Sequence, residues 1–290
     1  MPKHPLHDWL EPLVLRSFIT EVNALKPGNV NRYADGHGMT CDDFIRSAQL
    51  VTPLLCNPDL TLGQRIQEGV RITKIEIGCN TNLGMLLLFT PLIMSAQAIR
   101  PFKFAALQDA LSDTLRTIKP EESALVFQAI SEASPGGLGQ SKKYDVNLRP
   151  ECTLIEAMAV AQNRDLIAKQ YVTGFADVFL TGYPCIKEFT RRWNSVEWAT
   201  VGCYLTFLGT FIDTHIARKY GLEVAAKIKA RATKVAEQFN KNDNPGDTKR
   251  LLLEFDKELK NSDINPGTTA DLTAASLLIY ELSIYRIAEA

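Results

Sequence analysis

Asn265-Pro266-Gly267-Thr268-Thr269-Ala270-Asp271 stands directly before residues 272–287, a run that reads as an apolar C-terminal helix. A helix that is apolar all round belongs inside a protein. Pro266-Gly267 make a sharp entry, and Thr268 or Thr269 is placed to cap the N-terminus. Asp271 then falls in the first turn, where the macrodipole favours a carboxylate. Open backbone N–H groups at such an end can hold a phosphate in its place. Residues 83–99 form a second such run and read as a central buried helix, with Pro91 as a kink or a nearby break.

Outward from these two runs the pattern stays helical. Residues 9–25 carry Leu10, Leu13, Val14, Phe18, Val22 and Leu25 at near-helical spacing, and Lys26-Pro27-Gly28 stops them. Thr40 or Asp42 caps a second helix, and residues 62–77 read as a third, with a strand as the alternative near Ile75 and Ile77. Residues 102–117 and 120–134 follow, then 153–161 continued by 164–171. A tight turn at Gly182-Tyr183-Pro184 precedes helices over 186–193 and 196–220, the last stopped by Gly221. Helices over 222–239 and 248–259 complete the set. No sustained alternation of strand type and no repeat is visible. The expected fold is all-α, a single compact multi-helix domain over residues 1–290 around a buried apolar central helix.

The chain has 290 residues, 46% hydrophobic and 22% charged, with a net charge of −1. That balance argues against a protein that coats nucleic acid or an acidic membrane. The longest apolar runs, residues 83–94 and 201–212, fall short of the roughly 20 residues needed to span a bilayer. Residues 1–8 do not resemble a targeting segment. The six cysteines form no C-x-x-C pair and have no histidine at zinc-finger spacing, so reduced thiols in a cytoplasmic protein are expected.

The polar opening before the last helix has two counterparts. Lys26-Pro27-Gly28-Asn29-Val30-Asn31-Arg32 follows the first helix, and Gly78-Cys79-Asn80-Thr81-Asn82-Leu83-Gly84 opens the central one. Three such junctions suggest helix ends converging on an anionic ligand. Asp213-Thr214-His215-Ile216-Ala217-Arg218-Lys219 follows an apolar run. A buried Asp213 is costly unless paired or bound to metal, so it is either an ion-pair partner or a ligand for Mg²⁺ carrying a nucleotide phosphate. His215 is an acid/base candidate or an ordinary residue at a helix end. Glu21 is a further carboxylate candidate, and His37 sits in a Gly-flanked loop. Arg164, Asp165 and Asp177 read as structural ion-pair members. Asp43, Glu132 and Asn163 are unranked additions. Residues 135–150 form either a lid or a surface loop. No Ser-His-Asp order, P-loop or dinucleotide fingerprint is present.

Taken together the junctions resemble the triphosphoribosyl-dephospho-CoA synthase family. Its K-P-G-L-V-D stretch with a following G-x-H is matched by Lys26-Pro27-Gly28-Asn29-Val30-Asn31 with Gly36-His37. Its N-T-H-K-G stretch is matched by Asn80-Thr81-Asn82-Leu83-Gly84, its G-[FY]-P by Gly182-Tyr183-Pro184, and its S-P-G-G-S-A-D-L by residues 265–272. The order is kept over roughly residues 10–287. The resemblance implies an all-helical transferase that moves a phosphorylated ribosyl group from ATP to a hydroxyl of dephospho-CoA and releases adenine. Displacement at an anomeric carbon needs a phosphate clamp, Mg²⁺, a carboxylate near the developing positive charge and a base.

On that reading Asp271, Asp213 and Glu21 are the catalytic carboxylates, with Asp213 and Asp271 as metal ligands. The nucleotide and its phosphates fall to Lys26, Gly28, Asn29, Asn31, Arg32, His37, Asn80, Thr81, Asn82, Gly84, His215, Arg218, Pro266, Gly267, Thr268 and Thr269. The expected partners are a nucleoside triphosphate and a small-molecule acceptor, without nucleic acid or membrane. Homo-oligomerisation and the choice between ATP and phosphoribosyl pyrophosphate stay open. The chain departs from the pattern at Asn31, where the family has Asp, and at Asn82-Leu83, where it has His-Lys. It also has Thr173-Gly174-Phe175-Ala176-Asp177 in place of an R-G-E-A stretch. These departures resemble a branch found in archaea and in bacteria with methanopterin-linked one-carbon metabolism. Pentosyl-phosphate transfer in making a methanopterin- or methanofuran-type cofactor is therefore the first alternative, and nucleotide binding without turnover the second.

Overall fold

The structure, a computed structural model, describes residues 9–137, 143–148, 150 and 152–285. Among these it contains fourteen α-helices and no β-strand. They are α1 (Leu10–Asn23), α2 (Cys41–Cys56), α3 (Leu62–Glu76), α4 (Leu83–Ala98), α5 (Leu107–Arg116), α6 (Pro120–Ala133) and α7 (Leu154–Ala161). Then come α8 (Leu166–Thr173), α9 (Tyr183–Trp193), α10 (Val196–Thr210), α11 (Thr214–Tyr220), α12 (Leu222–Lys241), α13 (Lys249–Asn261) and α14 (Gly267–Ile284).

The two apolar runs become the axis of the fold. α4 and α14 are buried along nearly their whole length and pack against each other. α14 also meets α1, α9 and α10, while α4 meets α2, α3 and α5. Two hydrophobic clusters result, one around α4 and one around α12 and α13, and α10 and α14 supply residues to both. Local signals start the peripheral helices. Thr40 with Asp43, Thr61 with Gln64 and Thr153 with Glu156 form reciprocal capping boxes at α2, α3 and α7. Pro120 opens α6 at a position where a missing N–H does no harm. All six cysteines are free thiols. Among the described residues no helix is long and apolar enough to cross a membrane.

Several sequence expectations change. α3 is helical to Glu76, so the strand alternative near Ile75 is not realised. Pro91 lies inside an unbroken α4. Gly182-Tyr183-Pro184 is not a turn: residues Val178–Gly182 form a π-helical segment that runs straight into α9. The wider winding brings Gly182 against α14, where a Cβ would stand 1.9 Å from Ser276 Oγ. The expected helix over 164–171 starts instead at Leu166, because Asp165 caps it. The expected helix over 196–220 is two helices. It breaks at Phe211-Ile212-Asp213, and Asp213 is the N-cap of α11 rather than a residue inside a helix.

Candidate active site

α14 begins at Gly267, one turn earlier than the apolar run, so Asp271 lies inside the helix and not in its first turn. Neither Thr268 nor Thr269 caps it. The cap comes from 56 residues away: Asp213 Oδ2 accepts from Thr269 N at 2.8 Å and from Thr269 Oγ1 at 2.7 Å. Asp213 Oδ1 accepts from Ile216 N at 3.0 Å. A single buried carboxylate therefore caps α11 and α14 together. Thr214 Oγ1 adds a bond of 3.1 Å to Thr268 Oγ1.

The N-terminus of α4 faces this corner. Leu83 N donates to Asn80 Oδ1 at 3.1 Å. Asn82 Nδ2 turns back to the hydroxyls of Ser47 and Thr73, at 2.5 and 3.2 Å. Gly84 is the point of contact with α14, since a Cβ there would stand 2.0 Å from Asp271 Oδ2. The missing side chain lets the Asp271 carboxylate lie against the first turn of α4. Among the described residues that carboxylate has no hydrogen-bond or ion-pair partner. Burial raises its pKa well above the ordinary range, and the nearby charges of Glu21, Asp213 and Asp165 push the same way, opposed by Arg218.

α11 supplies the cationic wall. Arg218 pairs with Asp165, whose other oxygen caps α8 by accepting from Ile167 N at 2.8 Å and Ala168 N at 3.0 Å. Arg218 Nε is buried without a partner. The His215 ring fills the space beside Gly267, where a Cβ would come within 2.4 Å of Nδ1. Burial lowers the His215 pKa, so the imidazole is neutral at pH 7. Asn29, Asn80, Thr81, Asn265 and Thr268 add polar groups, while Met39, Phe44, Met85, Leu87, Met158 and Ile167 form an apolar side. Together these groups bound a cavity of about 310 Å³. Its contents are an unpaired carboxylate, a neutral imidazole, an arginine with a spare donor and several amides. That set suits proton transfer beside a bound anion.

The model of the CitG family, the ATP:dephospho-CoA triphosphoribosyl transferases, matches residues 7–288. The chain belongs to this family. It is thus a transferase of the triphosphoribosyl-transferring class. Its fold is similar to the crystal structure of an Archaeoglobus fulgidus protein described as a triphosphoribosyl-dephospho-CoA synthase. The two are 25% identical with a TM-score of 0.65, over 83% of this chain and 100% of that one. No curated protein matches this chain in sequence.

Of the residues singled out in the sequence, Asp271, Asn29, Asn80, Thr81, Asn82, Gly84, His215, Arg218, Gly267 and Thr268 line the cavity. Gly28, Asn31, Arg32, His37, Pro266, Thr269, Lys26, Glu21 and Asp213 do not. Asp213 is committed to two helix ends and does not line the cavity. Lys26 is fully buried beside Glu21 and cannot reach a phosphate in the cavity. Arg32 is exposed elsewhere. His37 is held by Gly28 O at 2.8 Å and by Asp263 at 3.0 Å. Asn31 Nδ2 donates to the carbonyls of Lys26 and Asn29 and to Asp256, tying its loop to α13. Gly28 adopts φ +83° and packs against Leu259 and Pro266, which fixes a loop outside the cavity lining. Asp43 serves the α2 cap, Glu132 pairs with Lys74 at 3.6 Å, and Asn163 is exposed.

The lid expectation over 135–150 lies partly outside the described residues; within them, Pro135, Gly136 and Val146 stand at the cavity wall. Asp165 and Asn265 were not among the expected ligand residues. Asp165 and Asp177 are ion-pair members as the sequence suggests, Asp165 with Arg218, 53 residues on, and Asp177 with Lys169. Among the described residues no group of three or more His, Cys, Asp or Glu is spaced to hold a metal ion.

Proposed function

We propose that the cavity between α4, α11 and α14 binds ATP and a hydroxyl acceptor of the dephospho-CoA kind, and that the protein joins the ribose to that hydroxyl with release of adenine. The observation that carries this reading is Asp271. It is an unpaired carboxylate on the cavity wall, set against a helix N-terminus by a glycine that leaves it room. Family membership supplies the reaction class. Asp271 has the raised proton affinity of a general base and takes the proton of the acceptor hydroxyl as the oxygen attacks the anomeric carbon. Adenine leaves with the glycosidic electron pair. The same carboxylate, ionised before it takes that proton, stands against the positive charge that begins to develop on the ribose.

Arg218 and the amides of Asn29, Asn80 and Asn265 hold anionic oxygens, and the apolar side keeps water from the anomeric carbon. The proton taken from the hydroxyl ends on adenine, and His215, kept neutral by burial, is the cavity group that would relay it. The donor set fits a magnesium ion brought in on the phosphates. Asp271 is the carboxylate that would hold it, since such ions need one or two carboxylates beside phosphate oxygens. The ion would supply positive charge to a cavity whose described lining residues include only one arginine and no lysine.

The test is chromatographic detection of adenine from ATP and MgCl₂, with and without dephospho-CoA. Adenine that appears only with dephospho-CoA is the expected result. ATP binding without adenine release on adding dephospho-CoA would replace that acceptor with another hydroxyl compound, a pterin- or furan-type alcohol being the next to try. Absence of ATP binding would overturn the donor assignment.

A further inference from the structure

Behind the cavity wall lies a buried ion pair that the reaction just described leaves unused. Lys26 Nζ stands 2.5 Å from Glu21 Oε1, and both side chains are inaccessible to solvent. An ammonium has three hydrogens and accepts nothing. Here two are directed as hydrogen bonds, at Asn29 Oδ1 at 2.7 Å and at Val30 O at 3.0 Å, while Glu21 balances the charge as the ion-pair partner. The cation therefore fixes which end of the Asn29 amide points inward. Asn29 Oδ1 must face Lys26, so Asn29 Nδ2 faces out and donates to Asn265 Oδ1 at 2.8 Å. With its carbonyl oxygen taken, Asn265 presents its NH₂ to the cavity, which it lines. Asn265 Nδ2 has no acceptor among the described residues. Asn265 also hands its backbone oxygen to Gly267 N at 2.8 Å, which pins it to the start of α14.

From this we infer that Asn265 is a specificity-determining donor for an anionic oxygen of the nucleotide. Glu21 and Lys26 are positioning residues that set its polarity through Asn29. An amide can turn over and offer an acceptor, which would repel a phosphate. The buried lysine forbids that orientation two bonds away. The pair also accounts for a charge buried at the end of α1 with no ligand contact of its own. Lys26 acts on the substrate without touching it, because the Asn29–Asn265 amide chain carries its polarity to the wall.

The inference rests on ATP as the cavity's ligand and is tested by calorimetric titration of ATP into the full chain. Asn265→Asp keeps shape and converts the donor into acceptors. Its affinity for ATP is expected to fall roughly 10- to 100-fold, the worth of a hydrogen bond to a charged group. The affinity should recover as pH falls and the new carboxyl gains a proton, relative to wild type at each pH. A packing role alone would give no such recovery. Asn265→Ser, which retains one donor, should lie between the two. Lys26→Met should weaken ATP binding without that pH recovery; if it does not fold, the Asn265 pair decides the matter alone. Asn265→Asp binding ATP as tightly as wild type would overturn the inference and leave the donor assignment standing. Wild type that does not bind ATP would overturn both.

Discussion

Asp213 and Asp271 occupy the same corner of the molecule, on either side of the start of α14, and have opposite surroundings. Asp213 accepts three hydrogen bonds, two from backbone N–H groups and one from a hydroxyl. Asp271 accepts none from the described residues, and burial raises its proton affinity. A carboxylate that meets several donors is stabilised as an anion and is inert. One that is desolvated without donors is a strained anion, ready to take a proton or meet a cation. Burial alone does not mark a reacting group; what sets Asp271 apart is an unpaired carboxylate that also lines a cavity. Two cations divide in the same way: Lys26, behind the wall, is held by Asn29, Val30 and Glu21, whereas Arg218, on the wall, keeps a spare Nε.

The comparison breaks first at Asp271 itself. Asp271→Asn should lower turnover about 10²- to 10⁴-fold, the usual worth of a general base, measured as adenine released per minute. It should also remove the rise of rate with pH that tracks the raised Asp271 pKa. The stability effect has the reverse sign. The folded pKa lies above the unfolded one, so the ionised carboxylate destabilises the fold at pH values above the folded pKa. That loss is recovered as pH falls towards the unfolded pKa. Asp271→Asn should therefore melt higher than wild type at neutral and alkaline pH, and the gap should close in acid. A lower melting temperature at pH 8 would show that Asp271 is a structural anion like Asp213.

Gly84→Ala sharpens the contrast by moving Asp271 without changing its chemistry. The added methyl would collide with Oδ2, so the carboxylate must shift, and a displacement of about 1 Å can lose on the order of 10²-fold in rate. The collision also overpacks the contact, by about 1–3 kcal/mol, so the melting temperature should fall modestly while turnover per folded molecule falls much further. Asp213→Asn tests the other side. It replaces an acceptor with an NH₂ against Thr269 N and Oγ1, and should destabilise by roughly 2–3 kcal/mol in thermal unfolding. Turnover per folded molecule should change less than 10-fold. Thr153→Ala, far from the corner, removes only one capping box. It should weaken the fold by about 1 kcal/mol with activity unaltered.

The sequence makes some of this legible and hides the rest for identifiable reasons. The helical fold is readable because its signals are local: apolar runs at 83–98 and 272–284, and caps such as Thr40 and Thr61 acting three residues ahead. The convergence of three polar junctions is also readable, and Asn29, Asn80 to Gly84 and Gly267-Thr268 do meet at one cavity. The roles of individual charges are not readable. Whether Asp213 reacts or caps depends on Thr269, 56 residues away, and Lys26 looks like a phosphate ligand until Glu21 is seen beside it. That Asp165 belongs to an ion pair is readable, but its partner Arg218 is not, because it lies in another helix. Three glycines at close contacts, 84 and 267 at the cavity and 182 against α14, read as turn formers. Their effect is instead to admit Asp271, Ser276 and His215.

The shared cap at Asp213 has a consequence for hydrogen exchange. The Ile216 and Thr269 amide protons bind opposite oxygens of one carboxyl group. Neither helix end can fray without loosening the anchor of the other. Their deuterium uptake should follow a common opening event, slow relative to the end of α12, where solvent reaches the last turn. His215, Arg218 and Asp271 sit just beyond those two amides and so belong to a single cooperative unit.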